Sequence, residues 1–449
     1  MAASTKIGYV VGNVGAVNNS PLEYIPDDPE IVEALRRVEG AMGSGVACAE
    51  VLPQNKLEML WLKLALAGHD LEVVQALWES IKEHPVADVL KSDTFTKKRL
   101  ASMPDRKTNK DRPAMTTAAS VGDFASWWET VYVPFWFEGP SPAIDRLGAL
   151  KYDTLTPEEK QASVSLQILG IALFDCALMH FSEQASPDGE LLRIKASLVT
   201  DRAAKIVAMV VDMVRADPDA VVFLHEVDNE VRKGLEDTVR SHSHHYSVVK
   251  GNQMSAILVP PSWKSLRDLT KWIHRRVEYD PQATVAMLLE SPTGENVIAA
   301  SIHADTDGAI SIPMIQAVVD VRGDDTKTKV IIGIDANTVA MPKGDKLTLD
   351  KFVAAAASSG LVTCHGDRPD PSKHYTSKKR RSVFQTQLAK AVSLIHGDGA
   401  YEEEVKIFLL TDRGARVENT RLLGDDGAAC PNPRCPSDHF PQAGVVRFE

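Results

Sequence analysis

From residue 221 to the C-terminus the chain repeats one pattern: a short apolar run that stops at a polar, often acidic, residue. The runs are "VVFLHEV" (221–227), "SAILVP" (255–260), "TVAMLLES" (284–291), "NVIAASIHA" (296–304), "KVIIGI" (329–334), "VKIFLLT" (405–411) and "GVVRF" (444–448). Each has the length of a buried strand, and most are rich in Val and Ile. Helical stripes interrupt them at 311–321 and 347–359. Strands in pairs, mixed with helices, predict an α/β fold, a two-sheet α/β sandwich.

The N-terminal part reads differently. Ile31, Leu35 and Val38 recur at helical spacing, as do Leu57, Leu60, Trp61 and Leu64, and then Val73, Val74, Leu77 and Ile81. "AGHD" at 67–70 marks a turn between the last two stripes. The expected organisation is a helical region over 1–120, a Trp-rich connecting segment over 121–160, and the sandwich over 161–449. The connecting segment holds "FASWWETVYVPFWFEG", with three of the seven tryptophans. It reads as core, with a stacking platform for a ring as the alternative. The sandwich is expected to open with the apolar run at 164–174 and one helix at 191–215.

The net charge of −11 disfavours a general polyanion-binding surface, so a nucleic-acid substrate is not preferred. No run of eighteen apolar residues is present, since 164–179 contains Gln167 and Asp175, and a transmembrane segment is not expected. "MAASTKIGYVVGNVGAVNNS" is a poor secretory signal. Five scattered cysteines suit a reducing compartment, so an intracellular, cytoplasmic location is expected. Cys430 and Cys435 read as loop cysteines, with a disulfide or redox pair as the alternative. His242, His244 and His245 read as an exposed polar loop.

Acids and imidazoles collect where three of the runs stop and just before the last one. Glu226 follows His225. His303 is followed by Asp305 and Asp307. Asp335 and Asn337 end the 329–334 run. Asp438 and His439 stand between prolines in "CPSDHFP". Charges at buried strand ends are costly unless they pair or bind a cation. Glu226 and Asp438 are candidate ligands for Mg²⁺ or Mn²⁺, which take carboxylate oxygens and waters. Asp335 and Asn337, at alternate positions, would point the same way on an extended strand and position a water. His303 and His439 are candidate donors to phosphoryl oxygens. Lys379, Arg380 and Arg381, in the basic stretch 373–391, are candidate grips for substrate phosphate, with Gln385 and Gln387 beside them.

Four segments in order, "VVFLHEV", "IAASIHADTDG", "VIIGIDANT" and "CPSDHFP", resemble the endonuclease/exonuclease/phosphatase superfamily over roughly residues 160–449. That resemblance implies a four-layer, deoxyribonuclease-like sandwich and divalent-metal-dependent hydrolysis of a phosphate ester. It puts the metal on Glu226, and the water-positioning pair on Asp335 and Asn337. The family's other conserved positions fall on His303 and on Ser437, Asp438 and His439. Two positions depart. The Asn that ends the family's first strand would fall near Ala172, with Asp175 three residues on. Lys406 falls where the family carries an Asp that fixes the final His, leaving Glu404 or Asp412 as substitutes. The alternative function is a noncatalytic member acting as a binding or assembly subunit, with a protein partner on the N-terminal helices or the Trp-rich segment.

Overall fold

The structure, a computed structural model, describes residues 5–15, 21–25, 28–96, 112–116, 124–147, 155–186, 188–199, 201–241, 245–248, 254–280, 283–385, 388–395, 402–424, 431 and 436–448. The chain divides into two units, and the division is not the expected one. A sandwich unit comprises Met1–Asn18, Asp201–Lys379 and Tyr401–Glu449. A helical unit comprises Asn19–Thr200 and Arg380–Ala400. The expected boundaries at 120 and 160 are thus replaced by an insertion: the helical unit interrupts the sandwich after its first strand.

The strands are β1 (Thr5–Asn13), β2 (Val221–Val227), β3 (His245–Val248), β4 (Met254–Val259), β5 (Lys264–Asp268), β6 (Thr284–Glu290) and β7 (Asn296–His303). They continue with β8 (Lys329–Asp335), β9 (Leu361–Thr363), β10 (Ser377–Lys379), β11 (Glu402–Glu404), β12 (Ile407–Asp412), β13 (Ala415–Leu422) and β14 (Gln442–Phe448). Among the described residues, one six-stranded sheet runs β13-β14-β1-β2-β4-β3 and the other β5-β6-β7-β8-β12-β9. β10 and β11 form a separate pair.

The sheets face one another and helices cover their outer faces, which gives the expected four layers. The strands alternate accordingly. Val221 and Phe223 of β2 enter the core between the sheets, together with Ile257, Val297, Ile331 and Leu409. Val222 and Leu224 point outward and pack with Ile206 and Val210 of the helix Arg202–Ala216. On the far side, Val330, Ile332 and Ile334 of β8 pack with Met314, Val318 and Phe352 of the helices Ser311–Arg322 and Leu349–Ser358. Because both faces of the central strands are buried, their sequences read as continuous apolar runs.

Gly333 shows how closely the sheets approach. A Cβ added there would lie 2.4 Å from the Cβ of Phe223 on the facing sheet. Gly333→Ala is therefore expected to cost about 1–3 kcal/mol, seen as a lower midpoint in thermal unfolding; an unchanged midpoint would show that the sheets can part freely.

Each sheet contains one parallel pair, and the two pairs carry the site. β1 runs parallel to β2 with Asn13 opposite His225, and β7 runs parallel to β8 with His303 opposite Asp335. The first strand is thus "TKIGYVVGN", not the run at 164–174.

That second run lies in the helix Ser163–Ala185 of the helical unit. It is apolar on nearly all sides and buried, as expected of a core helix. Among the described residues it is the one helix long and apolar enough to cross a membrane, and 89 % of its most apolar window is buried inside the unit. Around it pack Leu35 and Val38 of the helix Pro29–Met42, Leu60 and Leu64 of Gln54–Leu66, and Trp78 of Glu72–Ile81. Phe384 and Val392 come from the returning segment. Trp127, Trp128 and Trp136 belong to this core, with the Trp128 ring stacked on Tyr132 at 4.7 Å. These three tryptophans are therefore packing, as the sequence reading expects of core residues. The expected single helix at 191–215 is two, Glu190–Val199 and Arg202–Ala216, separated by Asp201 at φ 56°.

Candidate active site

The strand ends of the sandwich unit converge. Glu226 closes β2 within an irregularity of the β2–β4 ladder between Leu224 and Val227, and its φ is 56°. A left-handed backbone at a non-glycine strand end is costly, and a bulge there re-aims the side chain. Glu226 Oε1 lies 3.2 Å from His303 Nε2 and accepts from Asn13 Nδ2 at 3.2 Å. The same Asn13 amide donates to Asp335 Oδ2 at 2.8 Å. His439 Nε2 is 3.9 Å from Asp335 Oδ2 and 3.7 Å from Asp438 Oδ2. Lys379 Nζ reaches Asp438 Oδ2 at 3.2 Å. One unbroken series of contacts thus runs from His303 to Lys379 through Glu226, Asn13, Asp335, His439 and Asp438.

Asn13 corrects the sequence reading. The Asn ending the first strand is present, and Ala172 and Asp175 have no part in this site because they lie in the helical unit's core. Its Oδ1 accepts from Gly15 N at 2.8 Å, which fixes the amide so that both donor hydrogens face carboxylates. The sequence does carry the signal: an apolar run ending in Asn, at residues 5–13. The helical unit hides it, since Gly15, just past the end of β1, is 187 positions from Arg202, where the next sandwich helix begins.

Arg202 is a second residue the sequence reading missed. It donates to Gly15 O at 2.8 Å and to Pro436 O at 3.3 Å, tying the exit of β1 to the segment before Ser437. Burial lowers the proton affinity of its guanidinium, opposed by the carboxylates of Asp438, Glu226 and Asp228. Ser437 donates its hydroxyl proton to Asn13 O at 2.6 Å and accepts from His439 N at 3.2 Å. The prolines around Asp438 and His439 therefore frame a turn that is pinned to the end of β1.

Lys406 stands beside the final His, as expected, and donates to Glu404 Oε2 at 2.8 Å. Asp412 is taken by Arg322 and by Val330 N. Burial lowers the proton affinity of His439 most; Lys379 and Lys406 push the same way, opposed by Asp438 and Asp335. Burial would raise the Asp438 carboxyl, yet His439, Lys379 and Lys406 hold it well below the usual carboxylate range. Asp335 is also held low: burial opposes this, and His439, His303, His225 and the Asn13 amide outweigh it. His225, fully buried on β2, is depressed to about 4 by burial and is neutral near pH 7. Its Nε2 lies 3.2 Å from Gly333 O on the facing sheet.

Other expected residues have different places. Asn337 does not continue the strand. Its φ is 50°, its N–H donates to Asp335 Oδ1 at 3.1 Å, and its amide donates to Ala304 O at 3.1 Å. It therefore closes an Asx turn that orients Asp335. Asp305 accepts from Ile310 N at 2.9 Å, and Asp307 pairs with Lys346 at 3.4 Å, so both shape the turn after β7. Of the three phosphate-gripping candidates, Lys379 joins the series. Arg380 and Arg381 belong to the helical unit. There Arg381 donates to Gln385 Oε1 at 3.0 Å and faces Glu23, and the Arg380 carbonyl accepts from Ile25 N at 2.8 Å. Cys430, Cys435, His242, His244 and Gln387 lie outside the described residues.

Among the described residues no group of three or more His, Cys, Asp or Glu side chains is arranged to hold a metal ion. The donor set does not fit a closed cage of the zinc type. It fits a hard cation that keeps several of its own waters and takes one or two carboxylates. Glu226, with its side chain 22 % exposed, is the most exposed carboxylate of the series, and Asn13 and His303 contact it.

Residues 45–196, all within the helical unit, match a family model described as a domain of unknown function, DUF8234. No curated protein matches the chain. Solved structures similar to it include an endonuclease/exonuclease/phosphatase family protein from Bacteroides thetaiotaomicron, 15 % identical with a TM-score of 0.40, covering 57 % of this chain and 90 % of that one. D. rerio TDP2 complexed with single strand DNA product is 14 % identical with a TM-score of 0.38, covering 56 % and 94 %. The mannosyl-6-phosphatase Bt3783 of Bacteroides thetaiotaomicron is 14 % identical with a TM-score of 0.37, covering 56 % and 94 %.

Proposed function

We propose that the sandwich unit hydrolyses phosphate esters with the help of a divalent cation, Mg²⁺ or Mn²⁺. The observation that carries this reading is the unbroken series of contacts joining His303, Glu226, Asn13, Asp335, His439, Asp438 and Lys379. These side chains come from distant parts of the chain, and a scaffold gains little stability from gathering charges that must be desolvated.

Glu226 would hold the cation, with Asp438 as the second carboxylate near it. When bound, the cation supplies Lewis-acid polarisation of a phosphoryl oxygen. Asp335, kept ionised by its imidazole neighbours, accepts the proton of the attacking water. Asn13 and the Asn337 turn fix both oxygens of Asp335, so the base does not rotate away. His439 donates toward a non-bridging oxygen as charge develops there, and Lys379, Lys406 and Arg202 add a positive field around it.

The test is hydrolysis of p-nitrophenyl phosphate and bis-p-nitrophenyl phosphate by the full chain. Activity is expected with Mg²⁺ or Mn²⁺, to vanish with EDTA, to return on adding back the cation, and to drop at least about a hundredfold in Glu226→Gln. Turnover indifferent to both EDTA and Glu226→Gln would defeat the proposal. A second reading, a noncatalytic binding or assembly subunit, draws on Lys406 beside His439, where the family carries an acid. A folded protein with no turnover on either ester would favour it.

A further inference from the structure

β5 lies at the edge of its sheet, and all five of its residues are exposed. It leads into a single helical turn, Thr270–His274. From Lys264 to Arg276 the sequence carries five cations (Lys264, Arg267, Lys271, Arg275 and Arg276) and one acid, Asp268, in a chain of net charge −11. Lys264 pairs with Glu290 at 2.5 Å, and Arg276 donates to the Trp272 carbonyl at 3.1 Å. Among the described residues, Arg267, Lys271 and Arg275 enter no ion pair, and all three are exposed.

Two large apolar side chains stand among these cations. Leu266 is 46 % exposed and Trp272 is 48 % exposed. Leu266 has no partner on β6, because the ladder shifts register between Ser265 and Arg267 and leaves it as the extra residue. A bulge of this kind turns a side chain out of the sheet. Trp272 occupies the outer side of a turn whose inner residue, Ile273, is fully buried.

Lysines and arginines alone would guard an exposed strand edge against pairing with another chain. A guard has no need of a Trp and a Leu between them. A nucleic-acid strand would use the Trp ring for stacking and the cations for phosphates, and would gain nothing from an exposed Leu. A Trp and an aliphatic residue ringed by unpaired cations is instead the composition of an interfacial membrane anchor.

We propose that this edge docks the sandwich unit on an anionic lipid surface. Trp272 and Leu266 enter the headgroup region, and Arg267, Lys271, Arg275 and Arg276 face the lipid charges. The surplus negative charge of the rest of the chain then disfavours every other orientation at the bilayer. This inference stands apart from the hydrolase reading, since none of these residues belongs to the series from His303 to Lys379.

The experiment is co-sedimentation of the full chain with phosphatidylcholine vesicles, with and without phosphatidylserine, at low and physiological salt. Binding is expected only with phosphatidylserine, and it should weaken as salt rises. Lys271→Glu combined with Arg275→Glu should reduce binding on the order of thirty-fold or more. Trp272→Ala should reduce binding while leaving its salt dependence unchanged. Both variants should keep the parent's thermal midpoint, which shows that they fold. Equal binding to both vesicle types, no binding to either, or binding that survives the double substitution overturns the proposal. So does a single-stranded oligonucleotide bound in preference to the vesicles.

Discussion

Asp335→Asn is expected to lower turnover of a p-nitrophenyl phosphate ester by at least about a thousandfold, because in the proposed mechanism Asp335 is the positioned general base. The substitution keeps the shape of the side chain, so the sandwich should persist. Its cost falls on the two hydrogen bonds. Oδ1 accepts from Asn337 N and Oδ2 from Asn13 Nδ2, so a new amide must direct its NH₂ at one of these donors. One buried polar contact is then lost, at about 1–3 kcal/mol. Activity and stability should thus separate: a modest fall in thermal midpoint beside a near-complete loss of rate, read by single-turnover kinetics on folded protein. Residual turnover within tenfold of the parent would mean that the proton goes elsewhere, and the assignment of Asp335 would fail.

The second large effect is on stability, and it concerns the helical unit. Arg112 Nε lies 3.2 Å from Asp175 Oδ1, and both side chains have no solvent exposure. Asp175 sits midway along the buried helix Ser163–Ala185, and its Oδ2 has no hydrogen-bond partner among the described residues. Asp175→Ala takes a carboxylate away from a fully buried guanidinium, so it is expected to cost about 3–5 kcal/mol. Combining Arg112→Met with Asp175→Leu should recover much of that loss, because the desolvation cost disappears with the charges. Denaturant unfolding of the single and double variants checks both statements; additive losses in the double variant would contradict them.

The same pair makes stability depend on pH. Burial raises the Asp175 carboxyl to about 6, against the pull of Arg112. The folded chain therefore binds this proton more tightly than the unfolded chain does. Between the ordinary carboxylate value and about 6, the contribution of Asp175 to stability declines as pH rises. Asp175→Asn should flatten the pH dependence of the midpoint across that window.

The sandwich was largely legible from sequence because its central strands are buried on both faces. β2 appears as "VVFLHEV", β7 as "NVIAASIH" and β8 as "KVIIGID", and their bounds fall within a residue of the runs that predict them. Edge strands were missed for the opposite reason. β5 and β13 are exposed or half-exposed along their length, so "KSLRD" and "ARVENTRL" carry too little apolar contrast to announce a strand. The helix Ser163–Ala185 is indistinguishable from a buried strand in the sequence because a continuous apolar run has no period to read.

What the sequence determined by itself was local: which segments bury both faces, and which acids and imidazoles stand where those segments stop. Glu226, His303 and Asp335 at the ends of such runs, and Asp438 and His439 just before the last one, are candidates for this reason, since a charge beside a buried run is visible without knowing what surrounds it. Partnership was decided by the tertiary structure alone. That Lys379 pairs with Asp438 while Arg381, two residues on, faces Glu23 follows from the two cores to which their backbone segments belong. Asn13 becomes the centre of the site only when β1 is laid beside β2 across an insertion of the whole helical unit. Contacts between residues far apart in sequence come from the cooperative packing of both faces of each sheet, and no single stretch of residues encodes that.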